Sequence, residues 1–173
     1  MEEPVFIINT TMSKEDYRKF LYIATFKRNK FMIPFICLIA LLGGLIISFQ
    51  DDIFNLAQFL ISWFLLFILA IGVVLFKVER KNSQRIKTDQ TGTFDSINTL
   101  RFFQDRIVME NKSLKSYGEL KYEQFYTIIE SKDYFIFYFT ANQASLVRAK
   151  DVENLDEFRK FIIGVFADRY RKI

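Results

Sequence analysis

Histidine is missing from this sequence, and with it the commonest general base and a frequent metal ligand. Without it no His-dependent serine or cysteine triad can be assembled, and no Ser-x-x-Lys stretch supplies the serine–lysine alternative. Cysteine occurs once, at Cys37, so one chain cannot hold an internal disulfide. Glycine is scarce, with 6 residues, and never forms a phosphate-cradling loop: Gly43-Gly44 lies in an apolar run, while Gly92 and Gly118 stand alone. We therefore expect no enzyme, no cofactor and no metal. The adjacent acids Asp51 and Asp52 do not change this, since neighbours in sequence do not converge on one substrate atom and no base or nucleophile stands beside them.

Charge is missing too, over two long stretches. From Phe31 to Phe49, and again from Ile53 to Phe76, there is no Asp, Glu, Lys or Arg. Runs of about 18 or more uncharged apolar residues mark membrane-spanning helices, because a helix of roughly 20 residues crosses ~30 Å of hydrocarbon while satisfying its own backbone. Core helices of a soluble protein would need a polar face or complete cover from the rest of the chain. The sequence predicts a transmembrane helical hairpin over residues 31–76, with spans 31–49 and 53–76.

Lys and Arg are absent between these spans but dense outside them: Lys27, Arg28 and Lys30 precede the first, and Lys77, Arg80 and Lys81 follow the second. The positive-inside rule then makes the chain a multi-pass plasma-membrane protein with both termini cytoplasmic and Gln50-Asp51-Asp52 outside. These six basic residues read as inner-leaflet anchors in contact with membrane lipids. They explain much of the net charge of +4, and no separate basic stripe interleaved with aromatics suggests a nucleic-acid partner.

Within the spans, Ala40, Gly44 and Ser48 fall four apart and form a line of small residues that permits close backbone approach. Gln58 and Ser62 share that spacing on the returning helix, and a tight hairpin sets the two lines at similar depth. They are candidates for a seam, either within the hairpin or between copies. No charged residue in the spans marks an ion or proton route, which weighs against a pore or transporter subunit.

The flanking regions read as mixed structure. Residues 1–30 contain a β-branched run, Pro4 to Thr11, and then Ser13-Lys14-Glu15-Asp16, a capping-box pattern that opens an amphipathic helix bearing Tyr17, Phe20, Leu21 and Ala24. We expect strand and helix to pack on the cytoplasmic domain. Residues 77–91 form a basic juxtamembrane linker, and residues 92–173 a C-terminal domain. There, short strand-like segments are separated by turn signals: 93–103, 106–110, 113–120, 124–130, 133–140 and 143–149. Phe135, Phe137 and Phe139 alternate with Tyr134, Ile136 and Tyr138, so this strand is predicted to be covered on both faces. Asn154 caps a last helix whose Leu155, Phe158, Ile162, Val165 and Phe166 form an apolar stripe. Six strands, a possible seventh at Pro4 to Thr11 and a terminal helix are the inventory of a pleckstrin-homology-like (PH-like) antiparallel barrel.

The N-terminal strand, Ser13-Lys14-Glu15-Asp16-Tyr17, the two apolar runs, Tyr117-Gly118-Glu119-Leu120 leading to Phe125-Tyr126-Thr127-Ile128-Ile129-Glu130, and above all Asp133 to Ala149 together resemble the YcxB-like proteins of bacteria. Val147-Arg148-Ala149-Lys150 stands where that family often has Ile-Pro-Lys-Arg. The resemblance implies a membrane-anchored protein with a PH-like cytoplasmic domain, and it carries no catalytic residues.

The expected fold is therefore an α+β membrane protein: a two-helix transmembrane hairpin inserted between an N-terminal strand–helix and a C-terminal PH-like barrel capped by a helix. The expected function is non-enzymatic binding or scaffolding by that domain, through an unidentified protein partner or self-association. An immunity or envelope-protection role against a toxin or bacteriocin is the alternative. Lys112, Lys115, Arg148 and Lys150 are candidates for a basic rim that meets lipid headgroups.

Overall fold

Two opposite spacings of apolar residues build two units in the computed structural model, which describes residues 3–50 and 53–173. One unit takes the N-terminal residues up to Glu15 together with Asp89–Ile173; the other is Asp16–Thr88.

In the helical unit the uncharged runs become α2 (Met32–Ser48) and α3 (Leu56–Lys87). Pro34 falls in the first turn of α2, where its missing N–H breaks no intrahelical bond. Between the helices, β2 (Phe49–Gln50) pairs antiparallel with β3 (Ile53–Phe54), setting Phe49 opposite Phe54. Asp51 and Asp52, expected at the outer turn, lie outside the described residues. The chain re-enters helix at Asn55, whose backbone is extended and whose side-chain oxygen accepts the Gln58 N–H at 3.1 Å. α3 is 32 residues long and runs without a break through Lys77, Arg80 and Lys81, so most of the basic linker is helix. α2 covers 17 residues, about 26 Å at 1.5 Å per residue. By length and apolar composition α3 alone passes as a membrane-crossing helix among the described residues. The segment Lys14–Lys27 followed by α2 passes only as a pair bent by 60°.

That preceding segment is α1 (Lys14–Tyr22), which begins one residue after Ser13 and continues as a single π-helical turn, Ile23–Lys27. Arg18 and Tyr22 on α1 both reach Glu79 on α3. The amphipathic helix thus has a partner that its sequence pattern does not reveal.

The other unit holds two four-stranded sheets. In the first, β1 (Phe6–Thr10), β4 (Asn98–Phe102), β5 (Arg106–Asn111) and β6 (Ser116–Lys121) lie in that order and all pair antiparallel. In the second, β8 (Tyr134–Tyr138) is flanked by β7 (Thr127–Glu130) and β9 (Ala144–Arg148). A C-terminal strand, β10 (Tyr170–Lys172), adds parallel to β7. The last helix, α4 (Leu155–Phe166), is capped by Asn154, whose side chain accepts the Glu157 N–H at 3.4 Å.

One aromatic core joins these layers. Phe102 of β4 and Phe135 of β8 meet Phe158 of α4 edge to face, with ring centroids 5.0 and 5.1 Å apart, and Phe137 and Phe166 pack about two turns along α4. Ile8, Leu100, Ile107, Ile128, Val147 and Ile162 fill the space between. Each fully buried side chain of this size contributes about 1.5–3 kcal/mol. Tyr134, Ile136 and Tyr138 on the opposite face of β8 are also buried, as two-sided apolar alternation requires. β10 forms because α4 stops at Phe166: Ala167 takes a positive φ of 40°, and the tail turns back into the sheet.

Candidate functional site

Three groups of residues could carry function, and the fold treats them differently. The first is the line of small residues in the helical unit. The buried residues of α2 are Ile36, Ala40, Gly44 and Ser48, one per helical turn. A Cβ placed on Gly44 would stand 3.1 Å from the backbone N and Cα of Trp63, and one on Gly43 would stand 2.8 Å from Leu66 Cδ1. Backbone cannot give way as a side-chain tip can, so Gly44 marks where the two helices come closest. Ser48 donates to the Leu45 carbonyl at 2.8 Å, and Gln58 Nε2 donates across the pair to the Ile47 carbonyl at 3.0 Å. Gln58 and Ser62 are half-buried on α3. The residue facing Gly44 is Trp63, one position past Ser62, which a depth estimate counted from the turn does not resolve.

The second group is the set of basic flanks. Lys27, Lys30, Lys77, Arg80 and Lys81 are exposed and Arg28 is half-buried. Among them stands a tie that composition does not signal: Arg18 Nη2 and the Tyr22 hydroxyl lie 2.7 and 2.6 Å from Glu79 Oε1. The hydrogen bonds from Tyr22 and then Arg18 hold the Glu79 carboxyl below its ordinary range, and the same bond raises the Tyr22 hydroxyl.

The third is the basic end of the sheet unit. Strand register places Thr10 beside Asn98, and Asn111 bonds Asn98 at 2.9 Å, so the end of β1, the start of β4 and the β5–β6 turn share one end. Thr10 Oγ1 donates to Asp151 Oδ2 at 2.6 Å and accepts the Arg148 N–H at 3.3 Å, which brings Arg148 and Lys150 to that end as well. The four rim residues are not equivalent. Arg148 is held by both carboxylate oxygens of Asp151, at 2.7 and 3.0 Å. Lys112, Lys115 and Lys150 make no ion pair among the described residues.

Two further polar centres escape a sequence reading because their partners are far apart in the chain. Glu130, 3% exposed, binds Arg159 at 2.9 Å, accepts from the Tyr170 hydroxyl and faces Lys172. Burial, then the bond to Glu130, pushes the Tyr170 hydroxyl up. One Arg169 nitrogen donates to the carbonyls of Tyr122, Glu123 and Phe125 at 3.0–3.1 Å. Both centres fasten β10, and the Glu130 carboxylate is taken up by its three partners. Among the described residues no cluster of three or more Cys, Asp or Glu could hold a metal.

Among the described residues these features define an α+β protein with two four-stranded sheets and one helix long and apolar enough to cross a membrane. Residues 103–162, from the turn after β4 into α4, match the family described as YcxB-like protein, and over this segment the chain is similar to that family. The match includes Tyr117 to Glu130 and Asp133 to Ala149, which carry the resemblance, and stops short of the N-terminal strand and the apolar runs. No curated protein and no solved structure matches the chain.

Proposed function

We propose that this chain is a non-enzymatic bacterial inner-membrane protein that crosses the bilayer twice, through α2 and α3, and carries a PH-like cytoplasmic domain that binds a protein partner or a second copy of the chain. One observation carries the reading: both paired helices turn their large apolar side chains outward. Phe35, Leu42 and Ile46 on α2 and Ile61, Leu65 and Leu69 on α3 are each more than half exposed, while the small residues face inward. An apolar exterior of this extent is not stable in water and matches hydrocarbon.

Seventeen residues fall at the short end of the 17–25 that span a bilayer, and the aromatic residues Phe31 and Phe49 at the two ends of α2 suit the interfaces. The basic flanks of both helices support cytoplasmic termini. Two sheets closed by α4 on a shared core support a PH-like barrel. Non-enzymatic binding fits a domain whose most buried acid, Glu130, is consumed by Arg159, Tyr170 and Lys172.

Cysteine accessibility in intact bacterial cells tests the topology. In a Cys37→Ser background, Ile53→Cys should react with a membrane-impermeant maleimide, whereas Ser83→Cys and Lys132→Cys should react only after lysis. Equal labelling of all three in intact cells would remove the two-span reading.

A further inference from the structure

We propose that the β5–β6 turn is a binding site for the phosphate groups of anionic phospholipids, in the leaflet to which the sheet unit is tethered. The inference rests on the two-span reading and adds a ligand to it.

The turn is short and firmly built. Lys115 N–H donates to the Lys112 carbonyl at 3.3 Å, which brings the two lysines to the ends of one tight turn. Asn111, 3% exposed, clamps it from below: its oxygen accepts the Leu114 N–H at 3.0 Å and its nitrogen donates to Ser96 and Asn98, both at 2.9 Å. Lys115 has a φ of 49°. That left-handed position favours glycine or asparagine, so the turn holds Lys115 in a backbone conformation its side chain disfavours.

Both lysines line an open concavity of about 390 Å³ with Glu110, Asn111, Ser116 and Tyr117. The one acid in it does not neutralise them, because Glu110 is bonded by Arg101 at 2.9 Å. Arg101, Arg106, Arg148 and Arg159 in this unit are all committed to carboxylates. Lys112 and Lys115 therefore present two unspent ammonium groups, compact donors suited to phosphate, beside the Ser116 hydroxyl.

The tether selects lipid over a free anion. The chain leaves this unit for the helices at the same end as the turn, and its two connections run side by side, with the Asp95 N–H donating to the Met12 carbonyl at 3.0 Å. Residues 77–87 carry α3 ~16 Å past the end of the apolar run, and the link from Lys87 to the buried Phe94 adds at most ~25 Å, so the unit is held within ~40 Å of the leaflet. Headgroups are then presented at high effective concentration, so an open, weak site suffices, and the negative surface potential of the leaflet adds to it.

Hydrogen exchange of the full chain tests this in nanodiscs of phosphatidylcholine, and of equimolar phosphatidylcholine and phosphatidylglycerol. Amides of residues 111–117 should exchange several-fold more slowly in the anionic discs. Lys112→Gln and Lys115→Gln should each remove about fivefold of that protection, and added salt should weaken it. Lys115→Gly should lose the same protection although its backbone is relieved. Equal exchange in both discs with the amides of residues 56–76 protected would overturn the lipid site alone. Slowing in neutral discs on addition of inorganic phosphate would overturn the lipid assignment in favour of a free anion. Unprotected amides at 56–76 would overturn the two-span reading and this inference with it.

Discussion

The two units of this chain are packed inside out with respect to each other. The helical unit buries Ala40, Gly44 and Ser48 and turns phenylalanines and leucines outward, whereas the sheet unit buries Phe102, Phe135, Phe137 and Phe158 and turns lysines and glutamates outward. A fold buries what its solvent rejects. In water, phenylalanine is driven inward by the area it removes from solvent, at roughly 25 cal/mol per Å². In hydrocarbon that force vanishes, and helices associate by close approach at small residues. On the two-span reading proposed above, the same alphabet read against two solvents gives two interiors, and each should fail in its own way.

The largest effect should come from Phe158→Ala, which empties the centre of the aromatic core where Phe6, Phe102 and Phe135 meet. It should destabilise the sheet unit by about 3–5 kcal/mol. The chain has one tryptophan, Trp63, and it lies in the helical unit, so its emission reports on that unit alone. Denaturant titration in detergent should move the tyrosine near-ultraviolet signal and leave the Trp63 transition in place. Coincident shifts would mean that the two interiors are not independent.

Next comes Gly44→Ala, where one methyl group must enter a gap 3.1 Å from the Trp63 backbone. Overpacking of this kind costs about 1–3 kcal/mol, and Trp63 emission during a detergent-denaturation titration measures it. Gly72→Ala is the control, since nothing lies within 4 Å of its added carbon. It should be neutral or stabilise α3 by up to ~1 kcal/mol. In the sheet unit a polar counterpart is Arg169→Gln, which strips up to three carbonyls of their donor and should cost about 1–2 kcal/mol. Faster exchange confined to β7 and β10 would show it.

How much of this could be read beforehand follows the range of the interactions. Apolar runs, strand alternation and the Asn154 cap are local, so α2, α3, the strands β4–β9 and α4 were legible to within a few residues. β10 was not, because Tyr170-Arg171-Lys172 has no strand-like alternation. It is held by β7, by Glu130 and by Arg169, whose acceptors lie more than forty positions away. The pairing of Trp63 with Gly44 was hidden for a related reason: apolar composition is uniform along α3, and only three-dimensional phase selects the residue that meets the glycine. Lys112 and Lys115 were visible as charges, but the commitment of neighbouring arginines to carboxylates, which singles them out, required coordinates.

The smallest effect concerns a polar tie in the helical unit, between Glu79, Arg18 and Tyr22. The Glu79 carboxyl lies below its unfolded value because Tyr22 and Arg18 donate to it. Its contribution is present above the unfolded carboxylate range, near about pH 4.3, and is lost as pH falls through the lower folded value. The Tyr22 hydroxyl is raised by the same bond, so its contribution is complete below about pH 10 and is lost as pH rises through the higher folded value. The tie should therefore hold between these limits and open at both, weakly, since its side chains are solvent-accessible and salt-screened. Exchange of the amides of residues 17–22 should show a two-sided pH dependence after correction for intrinsic rate. Glu79→Gln should remove the acid limb, and in the sheet unit residues 158–166 should show neither limb if the two interiors answer to different forces.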